Sequence, residues 1–520
     1  MAEEMLATLE KKKIESIPST NAACRVETEI ILPEYKGEAE RIIRGTSKAV
    51  IKNKQVYLRD RFLVCEIEGS VGFDVLYQVS GDRSGKPTSF FHSENFTQSF
   101  QIPCNTDGLL AEEIAVFAEA APRSSLVKLL GPRKLSAKCE VLVSLDVKCN
   151  QSYLLLSSEC NDDLITRQGK VRSTGLVACH TEETRFSQTI PLPKAYLPIE
   201  EICEMEAVLF ARNVKAEDGG VAFQGICDLH CSYTAEGENV FISFYQPIEF
   251  EKRVGIPELS RDHACTVSLT PVGLKATSEI NEDGENKNVL FELDYVCDVN
   301  AFDTETVLFA EDAFSSSCQL FQEKKTETVR ELLGIFECAE TVKDKKPAKN
   351  SALLRAEGIR SGVDFKNTYM EDGRLCLEGK LGFSSLGVTE EDELKHLEVD
   401  YDFKVYVSPP FSIPEGEECS IEVCGGARGV DLEPDGEELR IRFDLLCTVS
   451  VYVMHRPEMV SRIERGEAFE KNRGEILYLY PEKGEDLWSL AKEYHVSPEK
   501  IKAQNHLSGE ALPPYLKLIP

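Results

Sequence analysis

Glu140-Val141-Leu142-Val143-Ser144-Leu145-Asp146-Val147-Lys148-Cys149 places Val141, Val143, Leu145, Val147 and Cys149 on one face. Most of the polar side chains, Asp146 among them, fall on the other. A period of two predicts a half-buried strand in a sheet with one wet side. The same writing recurs at Asn288-Val289-Leu290-Phe291-Glu292-Leu293-Asp294-Tyr295-Val296-Cys297 and at Glu438-Leu439-Arg440-Ile441-Arg442-Phe443-Asp444-Leu445-Leu446-Cys447. Counted between their aspartates, the copies stand 148 and 150 residues apart.

Other markers fall in register with this strand. Gly69, Gly225 and Gly379 each open a strand with the same inward pattern: Val71, Phe73 and Val75; Cys227, Leu229 and Cys231; Leu381, Phe383 and Ser385. Glycine inside a strand marks a bulge or a close backbone approach. About thirty residues later each copy has a strand ending in proline, at Pro103, Pro257 and Pro409-Pro410. Ile30-Ile31-Leu32-Pro33 and Ile190-Pro191-Leu192-Pro193 open the first two copies. The third carries a helix-like stretch near Glu327 to Leu333 instead. The reading is mainly β, with three tandem sandwich-like β domains, since many short alternating strands separated by turns suggest that architecture. Each unit is long enough for its own core. The expected bounds are an extension at 1–21, repeats at 22–160, 170–305 and 312–456, a charged linker at 457–473 and a tail module at 474–520. The linker is expected to hold the module away from the body.

Composition limits the partners. The net charge is −30 with a pI near 4.8, so the chain repels phosphate backbones and anionic lipid, and nucleic acid is not expected. No transmembrane segment is expected, because no run approaches the roughly 18 apolar residues of a span. Met1-Ala2-Glu3-Glu4 does not read as a secretory signal. The 18 cysteines form no dense framework and read as reduced, mostly buried thiols of a cytoplasmic protein.

The tail reads as strand, helix, helix, strand, a small α+β unit. Ile476, Tyr478 and Tyr480 alternate as a short strand. Leu487, Leu490, Ala491 and Tyr494 form a helical stripe behind the N-cap Asp486. Ser497-Pro498 starts a second helix with Ile501 buried, and Tyr515 to Ile519 closes the unit. Gly484-Glu485-Asp486-Leu487-Trp488-Ser489-Leu490-Ala491, Val496-Ser497, Ile501 and Asn505 resemble the LysM domain pattern. That resemblance implies a sugar groove between the loop after the first strand and the loop before the last. Here the second loop reads Pro513-Pro514-Tyr515 where the family has Pro-Gly-Gln. The partner-binding face is expected at Lys483, Gly484, Asp486, Trp488, Asn505 and Leu507. Trp488, the single tryptophan, lies about 110° from the centre of the stripe, at the edge of the buried face. It can anchor a partner or close the small core.

The order of parts, three large β repeats and then LysM, resembles the SPOCS-domain and LysM spore-coat morphogenesis proteins of endospore-forming clostridial bacteria. What this resemblance implies is a non-enzymatic scaffold in the mother-cell cytoplasm. It would sit at the forespore surface, in the spore coat, and bind the coat basement-layer ATPase and other coat proteins through LysM. The alternative is a peptidoglycan- or N-acetylglucosamine-binding protein acting through the same domain.

No enzyme, cofactor or metal is expected. Cys227-Asp228-Leu229-His230-Cys231 is the tight Cys/His cluster, but on a strand His230 points away from Cys227 and Cys231, so core cysteines are the better reading. Asp146, Asp294 and Asp444 sit on wet faces of separate domains, as solvated residues or partners of a cross-strand cation. Gly425, Gly426 and Gly429 precede no helix and read as a turn between strands.

Overall fold

In every copy the repeated strand is the middle strand of a three-stranded sheet, flanked by the first strand and the fifth. The computed structural model describes residues 8–81, 87–104, 114–156, 163–237, 240–347, 353–389, 394–414, 416–436, 438–469, 476–482, 484–509 and 511–519.

The first copy runs β1 (Thr8–Ile31), β2 (Ala39–Arg59), β3 (Phe62–Val79), β4 (Pro87–Pro103), β5 (Ile114–Gly131) and β6 (Lys134–Leu156). Its sheets are β1-β6-β5 and β2-β3-β4. The second copy repeats this with β7 (Leu164–Pro191), β8 (Ile199–Glu217), β9 (Gly220–Ala235), β10 (Phe241–Gly255), β11 (Ala264–Ile280) and β12 (Asn286–Ser315). Its sheets are β7-β12-β11 and β8-β9-β10. After β13 (Cys318–Thr326), the third copy uses β14 (Val329–Pro347), β15 (Leu353–Glu371), β16 (Arg374–Thr389), β17 (Leu394–Val407), β18 (Cys419–Asp435) and β19 (Glu438–His455). Its sheets are β14-β19-β18 and β15-β16-β17. In each copy the inward residues of both sheets share one apolar core.

The marker glycines sit at one kind of place. A phenylalanine directly opposite in the next strand, Phe96, Phe250 or Phe403, covers each with its ring. A Cβ on Gly225 would stand 2.2 Å from Phe250 Cζ, and one on Gly69 would stand 2.4 Å from Phe96 Cζ. Only a residue without a side chain admits the ring there.

First and last strands extend as ribbons, and the three ribbons pack on one another. β7 pairs with β12 from Leu164 opposite Ser315 to Pro191 opposite Asn288. In the third copy the ribbon continues past β14 and β19 as β13 paired with β20 (Glu458–Ala468). It breaks at Pro457, which has no N–H to give and whose carbonyl accepts from Glu327 N. Ile14, Leu176 and Leu332, from the first strands of the three copies, meet in one cluster. Tyr153, Val171, Val307, Phe309, Val329 and Met459 make another.

Three expectations are corrected here. Residues 329–333 form strand and not helix, because the ribbon is covered on both faces: Val329, Arg330, Glu331 and Leu332 are all buried. Most of 457–473 is no spacer, since 458–468 is β20, hydrogen-bonded to β13. Gly425, Gly426 and Gly429 lie inside β18, where a Cβ on Gly425 would meet Leu446 O at 2.2 Å.

The polar faces are also drier than the alternation implies, because neighbouring copies cover them. Lys148 is buried and ion-paired to Glu422, which also accepts from Arg330 at 3.0 Å. Asp228, 1% exposed, accepts from Arg428 at 3.1 Å. Arg44 of β2 is ion-paired to Glu204 of β8, which faces Arg360 of β15 at 3.5 Å. Seven residues beyond each marker glycine stand Leu76, Ser232 and Leu386, and their partners in the preceding strand are Arg44, Glu204 and Glu357. Three identical copies would bring like charges together. The divergence puts one cation, Arg44, and two carboxylates, Glu204 and Glu357, at these equivalent positions.

Candidate functional site

The tail folds as β21 (Leu477–Leu479), α1 (Leu487–Glu493), α2 (Pro498–Asn505) and β22 (Leu516–Leu518). Asp486 caps α1, its carboxylate accepting from Ser489 N at 2.7 Å and from the Ser489 hydroxyl. Those bonds hold it below the usual carboxylate range. Ser497 caps α2 by accepting from Lys500 N at 3.2 Å, with Pro498 at the first helical position. Leu487, Leu490, Ala491, Val496, Ile501, Leu516 and Leu518 form the core. The first strand alternates as expected, and the structure assigns its two faces. Leu477 and Leu479 pack inward, and Ile476, Tyr478 and Tyr480 are exposed, because the apolar residues of this stretch occupy both faces.

Of the expected partner-binding residues, Lys483 lies outside the described residues. Gly484 is exposed with φ +103°, which a side chain rarely adopts. Asn505 is committed inside the module: its Nδ2 donates to Ile501 O and Lys517 O, and its Oδ1 accepts from Lys517 N at 2.6 Å. This bonding ties α2 to β22. Leu507 packs on the core. Asp486 and Trp488 face the body of the same chain.

The module is seated on the end of the β7–β12 ribbon, a contact that replaces the expected separation. Ile165 and Phe314 join its core, and the Trp488 ring meets Phe314 edge-on with centroids 5.2 Å apart. Trp488 Nε1 donates to Asp312 Oδ2 at 2.9 Å, and Lys492 Nζ donates to both Asp312 oxygens at 2.7 and 2.8 Å. Gln322 Nε2 adds a bond of 2.6 Å to Asp312 Oδ1. Burial would raise the Asp312 carboxyl, but the bonds from Lys492, Trp488 and Gln322 outweigh it and bring the pKa down to about 2. Around this centre Arg167 reaches Asp486 at 3.5 Å, and His495 stacks on Phe469 with centroids 4.0 Å apart.

Asp312, Phe314 and Ile165 escaped the sequence reading. The available signal was Ala310-Glu311-Asp312-Ala313, where alternation lapses. The register of β12 against β7 shifts there, and such a bulge re-aims side chains.

On the opposite face of the two-stranded sheet the side chains are uncovered among the described residues. Tyr478 stands across from Lys517, with Tyr480 and Tyr515 toward one end and Ile476 and Ile519 toward the other. These five large apolar residues are between 38% and 76% exposed.

The other candidates do not converge. Cys227, Leu229 and Cys231 are buried inward, whereas His230 packs on Tyr245. Among the described residues no group of three or more His, Cys, Asp or Glu is placed to hold a metal ion. Asp294 pairs with the cross-strand Arg185 at 2.6 Å, and Asp444 accepts from Thr341 at 2.7 Å. Asp146 is half-buried, and burial raises its carboxyl although Lys148 is near. A cleft of about 480 Å³ lies between the first two copies, crossed by Lys54 bonded to Asp298 at 2.9 and 3.0 Å. Burial pushes its Cys179 thiol up to about 12, so that thiol stays protonated.

Among the described residues no helix is long and apolar enough to cross a membrane. No curated protein and no solved structure matches the chain. Residues 482–518 match the family model of the LysM domain, and that segment of the chain is a LysM domain.

Proposed function

We propose that the chain is a non-enzymatic scaffold, in which three β copies form a platform and the LysM domain grips a partner through its outer sheet face. The observation that carries this reading is the division of the module's surface. The α1 side is turned to the chain's own ribbon: Trp488 is half-buried against it and bonded to Asp312, and Asp486, itself exposed, reaches Arg167. Among the described residues the outer face is uncovered and aromatic, with Tyr478, Tyr480 and Tyr515 around Lys517. A contiguous apolar face of this kind marks an interaction site, and tyrosine is among the residue types that dominate binding energy.

The resemblance of the domain order to SPOCS and LysM spore-coat proteins supplies the finer proposal. The partner is the coat basement-layer ATPase, and the scaffold tethers the coat to the forespore surface from the mother-cell cytoplasm. Capture of that ATPase by the full chain is the test. Tyr478→Ala with Tyr515→Ala is expected to weaken capture by roughly tenfold or more, since two anchors each contribute at least about 1 kcal/mol. Undiminished capture would remove the outer face from the account.

A second reading is favoured by the LysM match itself, because LysM domains generally bind peptidoglycan or N-acetylglucosamine chains. Co-sedimentation with purified peptidoglycan distinguishes the two. Pelleting that survives salt and is lost with the tyrosine pair would support glycan binding and displace the ATPase tether.

A further inference from the structure

The cysteine that closes the repeated strand faces a different residue in each copy. Glu15 stands opposite Cys149, Glu182 opposite Cys297, and Cys338 opposite Cys447. Only in the third copy of this set do two thiols meet. Their Sγ atoms are in direct contact at 2.6 Å, both thiols are free, and both side chains are buried in the core of that copy. Directly opposed residues of an antiparallel pair have Cα atoms about 4.5–5.5 Å apart, within the roughly 4.4–6.8 Å that a disulfide spans. Gly425 stands opposite Cys447 in the next strand, where a Cβ would come within 2.6 Å of the Cys447 Cβ, so only glycine leaves room for the cysteine on that side.

We propose that Cys338 and Cys447 are an oxidisable pair that forms a cross-strand disulfide when a small peroxide reaches the core of the third copy. The step balances without a further reagent. The Cys338 thiolate attacks one peroxide oxygen, the O–O bond breaks, and water leaves with the thiol's proton. The Cys447 sulfur then displaces the hydroxyl of the resulting sulfenic acid, the S–S bond forms, and a second water leaves. Two thiols are oxidised and one hydrogen peroxide is reduced to two waters. The contact with Cys447 lowers the Cys338 thiol below its ordinary value. The link would staple β14 to β19 across 109 positions of chain, the first and last strands of the copy. This inference is independent of the partner the LysM domain binds.

The test uses the full-length chain, first reduced, then treated with dilute hydrogen peroxide, unfolded and alkylated. The expected product has two fewer alkylated thiols than the 18 of the reduced chain, and its unreduced digest contains a peptide joining Cys338 to Cys447. Cys338→Ala and Cys447→Ala should each abolish that peptide. Oxidised wild-type chain should also melt higher than reduced chain, by roughly 4–5 °C when the whole chain unfolds as one unit, a comparison that needs no variant. Full alkylation at every cysteine, linkage of other cysteines, or sulfenic and sulfinic products without the joined peptide would each overturn the proposal.

Discussion

Replacing Glu204 by alanine is expected to destabilise the body by about 3–5 kcal/mol, the cost of leaving buried charge without its partner. The Glu204 side chain is 7% exposed and Arg44 beside it is fully buried. Among the described residues Arg44 keeps the carbonyl of Gly358 at 3.0 Å, while Arg360 retains Asp74 at 2.9 Å and Thr46 at 3.0 Å. Without the carboxylate, the two guanidiniums repel across the junction of all three copies. Denaturant unfolding measures the effect. Glu27→Ala, which removes a half-exposed pair with Lys138 at 3.0 Å, serves as the comparison and should change stability by less than about 1 kcal/mol. Equal effects at the two positions would show that the junction is not load-carrying and that the copies merely touch.

The second large effect is expected at Asp312. Asp312→Ala removes the acceptor of Trp488, Lys492 and Gln322 together. Losing a charged acceptor of this kind costs on the order of 2 kcal/mol, roughly a thirtyfold shift toward the undocked module. Trp488 is the only tryptophan, so its emission and its quenching by acrylamide report docking directly. The variant should emit further to the red and quench more readily. An unchanged emission would mean that the apolar contacts of Phe314 and Ile165 seat the module without the carboxylate.

Acid should act on the same contact, and the sign follows from the direction of each shift. Asp312 is held at about 2 against an ordinary 3.8, so its stabilisation is complete above pH 3.8 and is lost as pH falls through 2. His495 is lowered from 6.5 by burial. It therefore costs docking stability as pH drops below 6.5, where the undocked ring takes up a proton more readily. In Asp312→Asn the steep limb below pH 4 should disappear while the shallower His495 limb remains.

The sequence carried the inside of each copy well and its outside poorly. Val141 to Cys149 alternates because one face is core, and that face is where the structure puts it. Alternation says nothing about what lies over the other face. Lys148 and Asp228 look like solvated residues in the chain, yet both are buried against charges from another copy. A charge that meets its complement across a domain junction has the same local pattern as one that meets water. The same limit hid β20, whose Glu458 to Ala468 is charged and shows no apolar stripe because it pairs as an edge ribbon. The LysM domain was legible through its caps, which act within three residues. Its seat was not, since Asp312 and Trp488 are 176 positions apart.

Calorimetric unfolding of the full chain tests the central claim most directly, that the three copies are locked into one platform. Interlocked copies should melt in a single transition whose calorimetric enthalpy matches its van't Hoff enthalpy, and Glu204→Ala should lower that whole transition. Three separate transitions, with the substitution moving only the one that belongs to the second copy, would contradict it.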